Sequence, residues 1–206
     1  MKGNVTMKKV YKGDFGYIKH NRKKATIRTI IVLAVTILIF VTGLLMYHSQ
    51  KSVFSIIAAL GCLPTGWSAV NMIMLLKAKP CSEEDHNKIL EHAGELLIHY
   101  DHIITSYDKN FYVNASTVLD KNIICYTADK DMEVNDCEKH IKKMMAPSGY
   151  SSYSIKIFDD IDKFCDRLDQ LEKLRAERGI DPVAIEDSWV PGTVQTPASV
   201  LLSISL

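Results

Sequence analysis

Between Thr29 and Leu76 the chain carries a single charged residue, Lys51, and no acid at all. That absence excludes an ordinary surface helix, which shows a polar face every turn. The run Ile30-Ile31-Val32-Leu33-Ala34-Val35-Thr36-Ile37-Leu38-Ile39-Phe40 has no such face. Paired cysteines are also missing. Cys62, Cys81, Cys125, Cys137 and Cys165 form no Cys-x-x-Cys, and their number is odd. This excludes a disulfide framework and fits reduced thiols in a cytosol. No glycine-rich loop joins a strand to a helix, so no nucleotide-phosphate cradle is present. Serines lack a nucleophile-elbow context, and repeats and low-complexity tracts are absent.

What is there begins with two apolar runs, residues 27–47 and 53–76. A helix needs roughly 20 mostly apolar residues to cross the hydrocarbon of a bilayer, and both runs reach that length. Arg28 lies at one end of the first, where it can snorkel to the headgroups. A cleaved signal peptide is the alternative for that run, but the flank Tyr47-His48-Ser49-Gln50-Lys51 leads straight into a second apolar run instead of a small-residue cleavage site. The two runs therefore predict a helical hairpin that crosses a membrane twice, joined by a tight turn at residues 48–52. Pro64, between Gly61 and Gly66, removes a backbone donor and predicts a kink in the second span. A local break lined by Thr65, Ser68 and Asn71 is the alternative.

Lysine placement sets the orientation. Residues 1–28 hold nine Lys/Arg and one acid, Asp14, a net of +8. Only Lys51 lies between the spans, and Lys77 and Lys79 follow the second. Both termini are expected on the cytoplasmic side of a bacterial plasma membrane, with the basic arm against anionic lipid. Residues 80–206 hold 13 Lys/Arg against 23 Asp/Glu, a net of −10. An acidic domain argues against binding a nucleic-acid backbone, which requires a basic face. The mean hydropathy of +0.01 averages these two unlike halves and describes neither. On this topology the sequons Asn4-Val5-Thr6 and Asn114-Ala115-Ser116 face the cytoplasm and carry no glycan.

The remaining residues, 80–206, are enough for one small core. Ser82, with Asp85 three residues on, predicts a helix start. Apolar residues recur at Ile89, Leu90, Ala93, Leu96, Leu97, Tyr100, Ile103, Ile104 and Tyr107, which predicts a helix over 83–107. Residues 111–119 and 123–128 read as a strand hairpin about the turn Asp120-Lys121-Asn122. A helix to Met145, a strand over 153–158 and a helix from Asp159 to Gly179 follow. Residues 180–197 read as a polar loop pinned by Trp189, and 200–206 as a final strand. The expected architecture is a two-helix transmembrane hairpin plus a small cytosolic α/β domain, in the order α-β-β-α-β-α-β with a mixed sheet. The domains are a basic arm (1–26), the hairpin (27–79) and the α/β domain (80–206).

Two side-chain groups have donor types suited to metals. His92, Glu95, His99 and His102 are spaced three, four and three apart, which on one helix places them on one side, and imidazole with carboxylate suits zinc. The plainer account is a histidine-rich polar flank, since one straight helix rarely supplies four ligands to one ion. Asp129 and Asp159 fall at strand ends, where open parallel sheets bind ligands, and magnesium would suit them. Helix capping and dipole complementarity explain the same acids without function.

No motif requires a cofactor; zinc or magnesium at these residues is the alternative. The sequence thus leads to a non-enzymatic interaction, regulatory or accessory subunit in the membrane. Its expected partners are the lipid bilayer and another protein or a second copy, with no nucleic acid. The alternative is a membrane-tethered metal-dependent hydrolase acting through the strand-end aspartates, Asp129 and Asp159, or through His92, Glu95 and His99.

Overall fold

A computed structural model describes residues 10–47, 53–190 and 192–206. The expected turn at 48–52, Lys2, Lys8 and Lys9 of the basic arm, and the sequon at Asn4 lie outside the described residues. The chain divides into two compact units. One spans residues 18–78, and the other comprises residues 1–17 together with 79–206.

The first unit is built from α1 (Tyr17–Tyr47, 31 residues) and α2 (Val53–Lys77, 25 residues). At 1.5 Å per residue these are about 46 and 37 Å long, against a hydrocarbon thickness of about 30 Å. Their apolar residues point outward, among them Ile30, Leu38 and Leu45 on α1, and Leu63 and Trp67 on α2. Only 11 % of the most apolar stretch of each helix is buried, whereas a core helix of a globular protein would be mostly covered. Both helices are thus long and apolar enough to cross a membrane.

Where α1 and α2 meet, the contacts use small and hydroxyl side chains, as helices do in lipid. Thr29 Oγ1 lies 2.8 Å from Ser68 Oγ and donates to the Ser68 carbonyl at 3.1 Å. Thr36 meets Thr65 at 3.3 Å. Gly61 sits under Thr36, where a Cβ would come within 3.1 Å of the hydroxyl oxygen. Arg22 closes the far end of α2 by donating to the carbonyls of Leu75 (3.2 Å) and Ala78 (2.8 Å), the favourable place for a cation on a helix. Helix α2 runs without interruption through Pro64. The alternative of a local break is therefore overturned; Thr65 keeps its hydroxyl on the Gly61 carbonyl at 2.8 Å, one turn back within a helix.

The second unit is a four-stranded mixed sheet in the order β1-β2-β3-β4. Its strands are β1 (Ile98–Thr105), β2 (Asn110–Leu119), β3 (Asn122–Tyr126) and β4 (Ser154–Phe158). β1–β2 and β2–β3 are antiparallel; β3–β4 is parallel, its crossover made by α4 (Val134–Met145). Helices α3 (Glu83–Ala93) and α5 (Ile161–Arg178) cover one face over Ile89, Leu96, Tyr100, Ala115, Phe164 and Leu168. Helix α4 and a C-terminal helix α7 (Pro197–Ser203) cover the other over Phe111, Val113, Ile123, Ile141, Met145 and Val200. A short α6 (Pro182–Asp187) precedes α7.

Three parts of the predicted order are corrected. The helix expected over 83–107 ends at Ala93, and residues 98–105 are strand β1. Ser82 Oγ does cap its start, accepting from the Asp85 amide at 2.9 Å. Gly94 then turns the chain with φ +54°, a conformation disfavoured for a residue with a Cβ. The apolar residues beyond it follow a helical period and alternate as a strand only when a one-residue slip at Asp101 is allowed for; pairing with β2 decides between the two. The strand expected over 200–206 is helix α7, because Thr196 caps Ser199 N at 3.1 Å and Pro197 sits at the first helical position. What remains of strand character is one bridge, Ser205 to Ile104. The expected loop over 180–197 contains α6, started by Asp181, whose carboxylate accepts from the amides of Val183 and Ala184.

Strands β1 and β2 share a break in alternation. Tyr100 and Ala115 belong to the core under α3 and α5, yet Val113 and Ile104 belong to the opposite core. One residue in each strand is out of step: Asp101, at φ +60°, and Asn114 opposite it. The shift occurs in both strands at one level, so the register is the same on either side, with Tyr100 opposite Ala115 and His102 opposite Val113. The two freed side chains turn to other work. Asp101 Oδ1 accepts from Cys81 N at 2.9 Å. Asn114 donates to the Lys79 carbonyl at 2.9 Å and accepts from Ala128 N at 2.7 Å.

Candidate functional site

The four residues of the expected metal face go separate ways, because the helix that would have aligned them stops at Ala93. His92, on α3, has Nδ1 3.0 Å from the Asp169 carboxylate of α5. Glu95, in the turn after α3, meets Arg175 at 2.7 Å. His99 and His102 are on β1. Among the described residues no three His, Cys, Asp or Glu side chains come together as a metal site. Asp129 and Asp159 follow the adjacent parallel strands β3 and β4, whose ends are joined by Thr127 N donating to the Phe158 carbonyl at 2.9 Å. Asp129 pairs with Lys79 at 3.1 Å, and Asp159 is exposed.

Of these candidates, His99 lines a cavity, a space of about 290 Å³ between the sheet and the α6–α7 segment. Its walls are largely apolar, formed by Leu97, Val118, Leu119, Ile185, Pro197 and Ala198. Four polar side chains line it as well: His99, Asp120, Tyr153 and Glu186. An apolar pocket with few polar groups is the usual form of a small-molecule site, and this volume is at the lower end of the range, about 300 Å³.

Each polar group is held by a different device. Asp120 occupies the tight turn between β2 and β3 at φ +54° and bonds Arg178 Nη1 at 2.5 Å. Glu186 Oε2 accepts from Thr196 Oγ1 at 2.5 Å and from Ser199 Oγ at 3.2 Å, so the α7 cap also fixes the carboxylate. Tyr153 packs edge-on against Tyr150, ring centroids 5.0 Å apart. Burial pushes its hydroxyl pKa up, with Tyr150 and Asp120 adding to the effect. Gly13, at φ +93°, packs on His99; a Cβ there would lie 2.9 Å from the ring. Burial holds the His99 pKa down, against the opposing pull of Glu186 and Asp14.

Behind His99, His102 is buried and shares a 2.8 Å hydrogen bond with Ser116. Burial lowers its pKa to about 3, and the neighbouring His99 and Lys12 act in the same direction, so it is neutral at ordinary pH. Lys12 Nζ donates to the Ser205 carbonyl at 2.5 Å.

The segments adjoining α1 and α2 are tied into this unit at neighbouring residues of β1. Tyr100 N donates to the Gly13 carbonyl at 2.7 Å, and Asp101 holds Cys81 N. Phe15 stacks on His86 with ring centroids 3.8 Å apart, and both rings meet Tyr100 edge-on.

Glu186, Tyr153, Asp101 and Asn114 escape sequence reading. Glu186 falls in what reads as a polar loop, Tyr153 at a strand end, and Asp101 within a false helix. Asn114 carries a sequon that draws attention elsewhere. Only the Asp181 and Thr196 caps could have exposed the α6–α7 segment that closes the cavity.

Comparison of the chain with protein-family models, with curated proteins and with solved structures finds no match in any of the three.

Proposed function

We propose that this is a two-span integral membrane protein that presents its acidic α/β domain to the cytoplasm as a non-enzymatic interaction or regulatory module. The observation that carries the membrane assignment is the outward-facing apolar surface of α1 and α2, which water would not tolerate over such lengths. The lysine distribution supports a plasma-membrane orientation with both termini inside. The regulatory reading is supported by the adjacent ties at Tyr100 and Asp101. Any event that shifts this part of β1 acts on the segments that lead into α1 and out of α2. A hydrolase at Asp129 and Asp159 has less in its favour, because Lys79 already neutralises Asp129.

Affinity purification of the tagged chain from its native membranes in a mild detergent, read by mass spectrometry and light scattering, tests the proposal. The expected result is a second protein, or a second copy, recovered at fixed stoichiometry. A chain that elutes alone and monomeric at every detergent ratio would contradict it.

A further inference from the structure

We infer that the cavity beneath α6 and α7 is a binding site for a small organic cation: a compact apolar body bearing one protonated amine, with the amine against Glu186. The inference goes beyond the proposed function and does not depend on it, since the cavity lies wholly within the globular unit.

The charge balance inside the cavity selects the ligand. Asp120 is already neutralised by Arg178. Glu186 receives two hydroxyl hydrogen bonds on Oε2 and has no Lys or Arg partner among the described residues, and Oε1 accepts from none of them. Burial disfavours the charged form of the neighbouring His99, while Glu186 and Asp14 pull the other way. The His99 ring nitrogens and the Tyr153 hydroxyl likewise have no partner among the described residues, and both groups line the same space. A carboxylate with no Lys or Arg partner among the described residues, in a cavity that an imidazole and a phenol also line, is complementary to an ammonium with three donors.

The apolar walls require the rest of the ligand to be hydrocarbon, aliphatic or aromatic. At about 30 Å³ per water-sized group, 290 Å³ holds on the order of ten non-hydrogen atoms. A single ring with a short alkylammonium arm has that size. An anion of the same shape would meet Glu186 with like charge and be rejected.

The test uses the full chain in nanodiscs of zwitterionic lipid, with 2-phenylethylammonium as probe and 3-phenylpropanoate as the matched anion, read by ligand-observed NMR and calorimetry. The expected result is saturable binding of the cation below about 1 mM, with the anion at least about tenfold weaker. Glu186→Gln keeps an acceptor for Thr196 and Ser199 but removes the charge. It should weaken the cation about tenfold or more, as the loss of a charged hydrogen bond does, with the circular dichroism spectrum of the folded chain retained. Ala198→Phe, which fills the cavity, should abolish binding. Equal affinity for the two ions, cation binding unaltered by Glu186→Gln, or no saturable binding up to 10-fold above that concentration would overturn the assignment.

Discussion

Phe164→Ala is expected to destabilise the globular unit by about 3–5 kcal/mol. Phe164 is completely buried on α5. Its ring lies 5.8 Å from Tyr126 of β3 and 6.2 Å from Phe158 of β4, so it seats the helix across the parallel pair. Truncation leaves a void walled by aromatic rings and by Leu168, which stacked elements cannot collapse to fill. Small domains hold only about 5–15 kcal/mol in total, so the loss is a large share of what keeps this unit folded. Urea unfolding of the full chain in detergent, followed by aromatic circular dichroism, gives the value. Tyr107→Ala, at a fully exposed position, is the control and should change stability by less than about 0.5 kcal/mol. Similar losses for the two would mean that α5 does not pack on the sheet as described.

Asp101→Ala is expected to cost about 3 kcal/mol, from two sources that a second variant separates. Alanine at φ +60° carries a left-handed penalty of about 1–2 kcal/mol that aspartate tolerates better. The substitution also leaves the Cys81 amide, buried and hydrogen-bonded to Asp101 Oδ1, without its acceptor, worth about 1–3 kcal/mol. Asp101→Gly removes the hydrogen bond but not the conformational freedom. It should therefore be less destabilised than the alanine variant by about 1–2 kcal/mol. Equal losses in the same urea experiment would show that the left-handed backbone at Asp101 is not the source of the cost.

Asp101 also shows what the sequence could reveal and what it could not. The two apolar helices were legible because an uncharged run of that length has few alternatives. So were β2, β3, β4, α4 and α5, where local signals agree: a short turn at Asp120-Lys121-Asn122, glycines at 149 and 179, and an Asp160 cap accepting from Asp162 N at 2.9 Å. The segment 94–105 was not legible, because Leu96, Tyr100, Ile103 and Ile104 obey a helical period. The paired slip at Asp101 and Asn114 creates that false period, by shifting a two-residue alternation by one position. The slip depends on β2, which a local reading of β1 cannot include. The C-terminal helix was hidden in the same way, since Val200, Leu201, Leu202 and Ile204 favour strand unless the Thr196 cap is given its weight. The candidate cavity depends on both segments. Among its polar residues the sequence marks Asp120, as a turn residue at a strand end, and His99, for a metal-binding reason that the fold does not support.

The central claim, a two-span hairpin with its globular unit inside the cell, is tested most directly by thiol labelling with a membrane-impermeant maleimide. Cys81, Cys125, Cys137 and Cys165 are buried and Cys62 lies within α2, so the unmodified chain sets a low background. Gln50→Cys, between the two helices, and Tyr107→Cys, on the surface of the globular unit, are compared in intact cells and after permeabilisation. The expected result is that Gln50→Cys labels in intact cells and Tyr107→Cys only once the membrane is opened. Labelling of Tyr107→Cys from outside, or equal labelling of both before permeabilisation, would contradict the account.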